Sequence, residues 1–284
     1  MLKQRIITAL VLLAVLLPAM IYHDPRLFCG VVLVLIAAGA WEWGRLNACT
    51  PMGSSLVGAA CVAMCVLSWT AGCLSAQLPL LWTVAGGGWV LLGAWLLRGG
   101  VAHWSRIARP VRLVGGLLAL WLAWLAMAQA RIIGVNFLLS VLVLVWAADV
   151  FAYFAGRTLG GRFAKSKLAP SISPGKTWEG VWGGMAGVLL LAAAWVWADR
   201  FWTLSVPSFY SQLALRGTWL LALALLFMAA MSVVGDLVES LIKRSAGVKD
   251  SSGLLPGHGG ILDRVDALLP TLPLAMMLYS LGAV

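Results

Sequence analysis

Apolar stretches of about 20 residues, parted by short polar segments, run the length of this chain. A helix needs roughly that many residues to cross the hydrocarbon of a bilayer. The stretches lack the two-residue alternation of membrane barrel strands. The pattern predicts about nine spanning helices, at 5–22, 27–46, 54–74, 78–97, 111–130, 132–155, 178–198, 217–238 and 264–284. The second and third are weakly separated, as are the fifth and sixth, so eight or ten spans fit the same pattern. The first run follows Met1-Leu2-Lys3-Gln4-Arg5 in the manner of a signal peptide. It continues to Ile21 with no small-x-small cleavage site, so it reads as an uncleaved first span. The expected fold class is all-α: a polytopic helical membrane protein with no repeat of fixed period.

The distribution of charge gives the spans a direction. With the N-terminus placed in the cytoplasm, the inside segments hold Lys3, Arg5, Arg45, Arg98, Arg106, Arg109, Arg112, Arg157, Arg162, Lys165, Lys167, Lys176, Lys243, Arg244, Lys249 and Arg264. Only Arg26, Arg131, Arg200 and Arg216 fall outside, and basic residues favour cytoplasmic loops. This puts the two longest polar loops, 156–177 and 239–263, on one side. Eight of the ten acidic residues lie there too, among them Glu42, Asp149, Glu179, Asp236 and Glu239. Charge at membrane depth is costly and tends to be functional. Chemistry is therefore expected on the cytoplasmic face.

Composition adds two limits. The chain is 62% apolar and 11% charged, whereas a soluble domain is about half apolar and about a quarter charged, so lipid must solvate much of the surface. The net charge of +10 does not come as a basic stripe on a nucleic-acid fold, and no nucleic-acid partner is expected. Cys29, Cys49, Cys61, Cys65 and Cys73 form no C-x-x-C pair, and they read as apolar packing residues.

The densest chemical signal runs from Gly235 to Asp266. If the eighth helix continues past residue 238, Asp236, Glu239, Ser240 and Lys243 share a face, at i, i+3, i+4 and i+7. Asp263 and Asp266 share another near a helix start. Asp236, Asp263 and Asp266 can then converge on a hard cation such as Mg²⁺, which takes carboxylate and phosphate oxygens. Lys243, Arg244, Lys249 and Arg264 supply positive charge for phosphates. Gly257, Gly259 and Gly260 let backbone N–H groups approach them closely. Such a set describes phosphoryl or nucleotidyl transfer. The plainer readings are that Asp263 and Asp266 cap a helix, that Lys243 and Arg244 are topology charges, and that His258 is a hydrogen-bonded loop residue. In the other loop Gly175-Lys176-Thr177 suggests a P-loop, but the position five before Gly175 is Pro170 and the motif fails. Ser173, Lys176 and Thr177 read as a second phosphate- or headgroup-binding surface, or Thr177 simply as the cap of the seventh helix. Asp149 is placed to orient these cations or the metal.

Ser240-Leu-Ile-Lys243-Arg244, then Lys249-Asp250, then Pro256-Gly257-His258-Gly259-Gly260-Ile-Leu-Asp263-Arg264-Val-Asp266 resembles the signature of the phosphatidate cytidylyltransferases, or CDP-diacylglycerol synthases. Asp149 to Arg157, Ser173 to Gly180 and Trp41-Glu42-Trp43 are similar to that family as well, whereas 50–130 match only in hydropathy. The resemblance implies a reaction of CTP with phosphatidic acid that gives CDP-diacylglycerol and pyrophosphate and requires Mg²⁺, with one or two cations bound. It implies a homodimer in contact with membrane lipids, in a bacterial-type inner membrane. It assigns catalytic roles to Asp236, Lys249, Asp250 and Asp263, and metal ligation to Asp236, Asp263 and Asp266. Substrate contacts fall to Ser173, Lys176, Thr177, Lys243, Arg244, His258, Gly259, Gly260 and Arg264. The expected division is residues 1–130 as a helical scaffold, suited to oligomerisation, and 131–284 as the part with the catalytic loops.

Two rivals make different demands. A CTP-dependent kinase of a long-chain alcohol would release CDP, not pyrophosphate. A transporter would place its charges near the bilayer midplane in broken helices, whereas here they cluster at one face. The Asp-Gly-x-x-Ala-Arg run of CDP-alcohol phosphotransferases is absent.

Overall fold

Local chemistry sets most helix boundaries. Proline stands in the first turn of four helices, where its missing N–H costs nothing, and Asp24, Thr50, Thr177 and Ser208 each accept a first-turn backbone N–H as N-caps. A computed structural model of the protein describes residues 2–281. The helices are α1 (Leu2–Ile21), α2 (Pro25–Leu46), α3 (Pro51–Thr70), α4 (Pro79–Arg106), α5 (Arg109–Ile133), α6 (Val135–Leu159), α7 (Trp178–Phe201), α8 (Phe209–Arg216), α9 (Thr218–Ser245), α10 (Leu262–Val265) and α11 (Leu268–Ser280). Eight of them are long and apolar enough to cross a bilayer. Among the described residues there is no β-strand, only two isolated bridges, Ala169 with Ser173 and Leu255 with Gly259. The protein is a polytopic all-α membrane protein, as expected.

Three departures from the predicted spans have local causes. The ninth span, 264–284, is realised as the one-turn α10 and the 13-residue α11; its last three positions lie outside the described residues. Thirteen residues rise only about 20 Å, short of the roughly 30 Å hydrocarbon core. α4 is longer than predicted because it joins two helices across Gly100, whose φ of 69° breaks the helical path. α9 runs on to Ser245, so Asp236, Glu239, Ser240 and Lys243 do share a helix, and the loop after it is confined to 246–261.

Two sets of contacts mark the ends of the bundle. At one end Lys176 pairs with Asp236, Arg244 Nε donates to the Ile172 carbonyl at 3.4 Å, and Arg5 Nε donates to the Gly257 carbonyl at 3.0 Å. Both long polar loops therefore lie at one end. At the other end Arg131 donates to the Tyr22 carbonyl, and Arg216 to the carbonyls of Leu278 and Tyr279. Helix packing crosses residue 130: α4 lies against α9 and α11, and α5 against α2, α6 and α11. Trp82, Trp124, Leu125, Phe137 and Leu144 are buried at the centre.

A polar knot closes the end away from the loops. Asp199 accepts from Asn136 Nδ2 (2.9 Å), from the Ser208 N–H (2.9 Å) and hydroxyl (2.5 Å), and from the Ser211 hydroxyl (2.6 Å). Trp195 Nε1 donates to Asn136 Oδ1 at 2.9 Å. Removing a buried acceptor strands its donors, at about 1–3 kcal/mol for each group left unmet. Asp199→Ala is expected to destabilise the protein by about 3 kcal/mol. A thermal-unfolding series in detergent checks it.

Candidate active site

α6 and α7 come together because small residues face each other. A Cβ on Gly184 would stand 2.8 Å from the Ala148 carbonyl, and one on Gly180 3.0 Å from that of Ala152. Small residues allow such close approach of membrane helices. The approach brings Asp149 of α6 beside the loop that ends in Lys176 and Thr177. With α9 the two helices enclose a cavity of about 420 Å³, lined by Asp149, Tyr153, Arg157, Lys176, Thr177 and Asp236, with Ala152, Met185 and Val233 forming apolar wall. Tyr153, one of the lining residues, is 58% exposed, so the cavity opens to the surface there.

Asp149, Asp236 and Asp266 lie within coulombic reach of one another. Asp266 is drawn close to α9 at Gly235, where a Cβ would stand 2.5 Å from the Asp266 carbonyl. Lys176 pairs with Asp236, and each side chain keeps about a quarter of its exposure. Asp263 is used differently. Its Oδ1 accepts from Lys243 Nζ at 2.5 Å, and its Oδ2 accepts the Ser251 N–H (2.9 Å), the Ser251 hydroxyl (2.9 Å) and the Gly260 N–H (2.7 Å). Burial works to raise the Asp263 carboxyl. The Lys243 ammonium and the N–H groups of Gly260 and Ser251 outweigh it and hold the group below the ordinary carboxylate range.

Of the set Asp236, Asp263 and Asp266 expected from sequence, Asp236 and Asp266 lie within coulombic reach of each other. Asp149 joins Asp236 and Asp266, while both oxygens of Asp263 are taken up by protein donors. Among the described residues no three His, Cys, Asp or Glu groups close on one point as they stand; instead the Lys176 ammonium occupies the Asp236 carboxylate. Mg²⁺ needs only one or two carboxylates, with water and substrate phosphate completing its shell. An oxygen-only donor set that already holds a cationic group beside a cavity fits that ion.

Lys243 is a buried bridge, not a topology charge: it pairs with Glu239 one turn back on α9 and with Asp263. Arg244 is exposed and ties the two loops through Ile172. Lys249 and Asp250 are exposed at the start of the second loop. That loop turns at Gly257 (φ 77°) and Gly259 (φ 81°), left-handed conformations natural to glycine. Leu255 N–H donates to the Gly259 carbonyl at 2.8 Å, and His258 stands half-buried between them with Nδ1 unpaired. Arg264 is exposed beside the loop and lies near Asp149. In the first loop, Thr177 Oγ1 accepts from Gly180 N–H at 3.1 Å, the capping role. Ser173 and Lys176 sit in a turn where Ser173 N–H donates to the Ala169 carbonyl at 2.8 Å. Glu179, buried, accepts from the Phe163 and Ala164 N–H groups at 3.0 and 2.8 Å and anchors the loop.

Sequence reasoning gave no role to Glu42, whose carboxylate is wrapped by the second loop. The available signal was a lone acidic residue inside the apolar run 27–46, since ionisable groups at membrane depth tend to be functional.

The cytidylyltransferase family model matches residues 3–281. The phosphatidate cytidylyltransferase of Pseudomonas aeruginosa is 40% identical to the chain over 292 positions, spanning 99% of it and 98% of the relative. That of Haemophilus influenzae is 34% identical over 299 positions, spanning 98% and 99%. That of Bacillus subtilis is 40% identical over 148 positions, 52% of this chain and 49% of the relative.

Proposed function

The chain belongs to the cytidylyltransferase family and converts CTP and phosphatidate to CDP-diacylglycerol and pyrophosphate; from that premise we propose that the conversion occurs where Asp149, Asp236 and Asp266 meet Lys176, at the cavity between α6, α7 and α9. The observation that carries this reading is that Asp149 and Asp236 line one cavity with Lys176 and Arg157, with Asp266 within coulombic reach of both carboxylates. The phosphatidate headgroup enters along the cavity's apolar wall, toward Lys176 and Arg157. CTP lies against the glycine turn, near Gly259, Gly260, His258 and Arg264.

A phosphate monoester loses its second proton near pH 6, so the attacking phosphatidate oxygen needs no strong base. It forms a bond to the α-phosphorus of CTP as the bond to pyrophosphate breaks. The difficulty is repulsion between two polyanions. Lys176, Arg157, Arg244 and Arg264 offset it and orient the phosphates. Asp236 and Asp266, with Asp149, would hold Mg²⁺, alone or with a second cation, and the bound ion would supply charge neutralisation at the phosphates. Lys176, which pairs with Asp236, would then be available to a substrate phosphate. Lys249 and Asp250, exposed at the mouth of the loop, line the approach to it.

Bacterial relatives and the preponderance of basic residues at the loop end support an inner-membrane enzyme with its site toward the cytoplasm. The homodimer is part of this reading through the family resemblance, with crosslinking in native membranes as its test.

The deciding assay is pyrophosphate release by purified protein with phosphatidic acid, comparing CTP with ATP, with and without EDTA. Release of CDP would favour the lipid-alcohol kinase instead, and turnover unaffected by EDTA would remove the metal. In the same assay Lys176→Met is expected to lower kcat/KM by about 10²-fold, since oriented cations at a transferring phosphoryl group are worth roughly that much. Its partly exposed pair with Asp236 contributes under about 1 kcal/mol to stability, so the melting temperature should stay within a few degrees.

A further inference from the structure

Glu42 lies near the end of α2 and is fully buried, at 0% exposure. Its carboxylate meets four donors, and all four belong to one loop more than 200 residues away. Oε1 accepts from the Ser252 hydroxyl at 2.5 Å and the Ile261 N–H at 2.9 Å. Oε2 accepts from the Leu262 N–H at 2.8 Å and faces the Ser251 hydroxyl at 3.1 Å, whose one proton it shares with Asp263 Oδ2 at 2.9 Å. Among the described residues it has no Lys or Arg partner; the three ion pairs lie elsewhere.

Two of these donors stand where the loop leaves the α9 side and two where it enters α10. One carboxylate therefore pins both ends of the segment that carries Gly257, His258, Gly259 and Gly260. Glycine-rich backbone loses more freedom on ordering than any other, so without such a pin the turn would not hold one shape. The N-cap of α10, Ile261, has no side-chain acceptor of its own. The N–H groups of Ile261 and Leu262 are orphan donors of a helix start, and Glu42 supplies from another helix the cap this one lacks. The approach is tight: a Cβ on Gly260 would run into Ser251 Oγ and the Glu42 carboxyl. The pin also extends toward the chemistry, because Ser251 Oγ contacts both Glu42 and Asp263, and Asp263 holds Lys243.

We infer that Glu42 is a positioning residue for cytidylyl transfer: by clamping residues 251–262 it fixes the glycine turn and sets the register of Asp263, Arg264 and Asp266. It touches no substrate and acts through the loop. This rests on the proposed site between the loops. A bland alternative is that Glu42 merely holds the fold together, and the two differ in what a substitution changes.

The experiment is Glu42→Gln in the full-length, detergent-purified protein, with Ser252→Ala as a milder companion that leaves three of the four donors. The readouts are kcat and KM for CTP and phosphatidic acid, the melting temperature, and hydrogen exchange of peptides covering 251–262. Glutamine has the same shape but turns an NH₂ toward N–H and O–H donors. The expected result for Glu42→Gln is a kcat at least 100-fold lower, a KM for phosphatidic acid within about threefold of the parent, retained helical content, and exchange at 251–262 at least tenfold faster. Ser252→Ala should lie between, with kcat down about fivefold. The inference is overturned if kcat in both variants stays within threefold of the parent, or if activity falls only in proportion to the folded fraction with exchange at 251–262 unchanged. Absence of CTP- and phosphatidate-dependent pyrophosphate release in the parent would instead refute the functional reading, while loop exchange would still report on the clamp.

Discussion

Asp236→Asn is expected to reduce CDP-diacylglycerol formation by about 10³-fold, close to 4 kcal/mol of lost transition-state stabilisation, in a protein that remains folded. Asp236 faces the cavity with Asp149, pairs with Lys176, and lies within coulombic reach of both Asp149 and Asp266. Asparagine keeps the shape but removes the charge that would hold a divalent cation against two polyanionic substrates. The loss of one partly exposed ion pair should hardly affect stability. Pyrophosphate release over a range of MgCl₂, set beside a melting curve, separates the effects. A rate within tenfold of the parent at saturating Mg²⁺ would move the metal away from Asp236. Asp263→Asn offers the contrast, because Asp263 is joined to Lys243 and three loop donors. It should lower both activity and melting temperature.

Lys243→Met is expected to produce the largest loss of stability, about 3–5 kcal/mol, the usual cost of leaving buried charge without its partner. The Lys243 side chain is 11% exposed, and its partners Glu239 and Asp263 are 7% and 6% exposed. Methionine fills similar volume but leaves two buried carboxylates facing each other. Adding Glu239→Gln should return a good part of the loss, since it removes one of the stranded charges. Thermal unfolding of the parent and of both variants in one detergent tests the point. A melting temperature within two degrees of the parent for Lys243→Met would show that the bridge is solvated and that its charges are independently stable.

These predictions differ in kind although the residues are close in sequence. Asp236, Glu239, Ser240 and Lys243 share a stretch of α9, and their spacing shows a common face without a structure. What the spacing does not show is depth. Asp236 stands part-exposed on the cavity, whereas Glu239, one turn on, is buried beneath Lys243. Depth depends on which helices cover that face, and α9 packs against α4, α7, α8 and α11. For the same reason Lys243 read as plausibly as a topology charge, and Thr177 as plausibly as a ligand as a cap.

Much of this protein is written in one-dimensional patterns. Eight of the nine predicted spans, their proline and Thr/Asp/Ser starts, the gathering of basic residues at one end and the glycine turn at 257–260 follow from hydropathy, capping and backbone preference, all of which act over a few neighbouring residues. Tertiary packing alone decided how the carboxylates are shared out. It turned Asp263 Oδ2 into the loop and Oδ1 onto Lys243 of α9, brought Asp149 within coulombic reach of Asp236 and Asp266, and set Glu42 of α2 against Ile261 and Leu262. The physical reason is reach: a side-chain oxygen bonds only within about 3 Å, and which groups come that close across 200 residues of chain depends on how the helices cross.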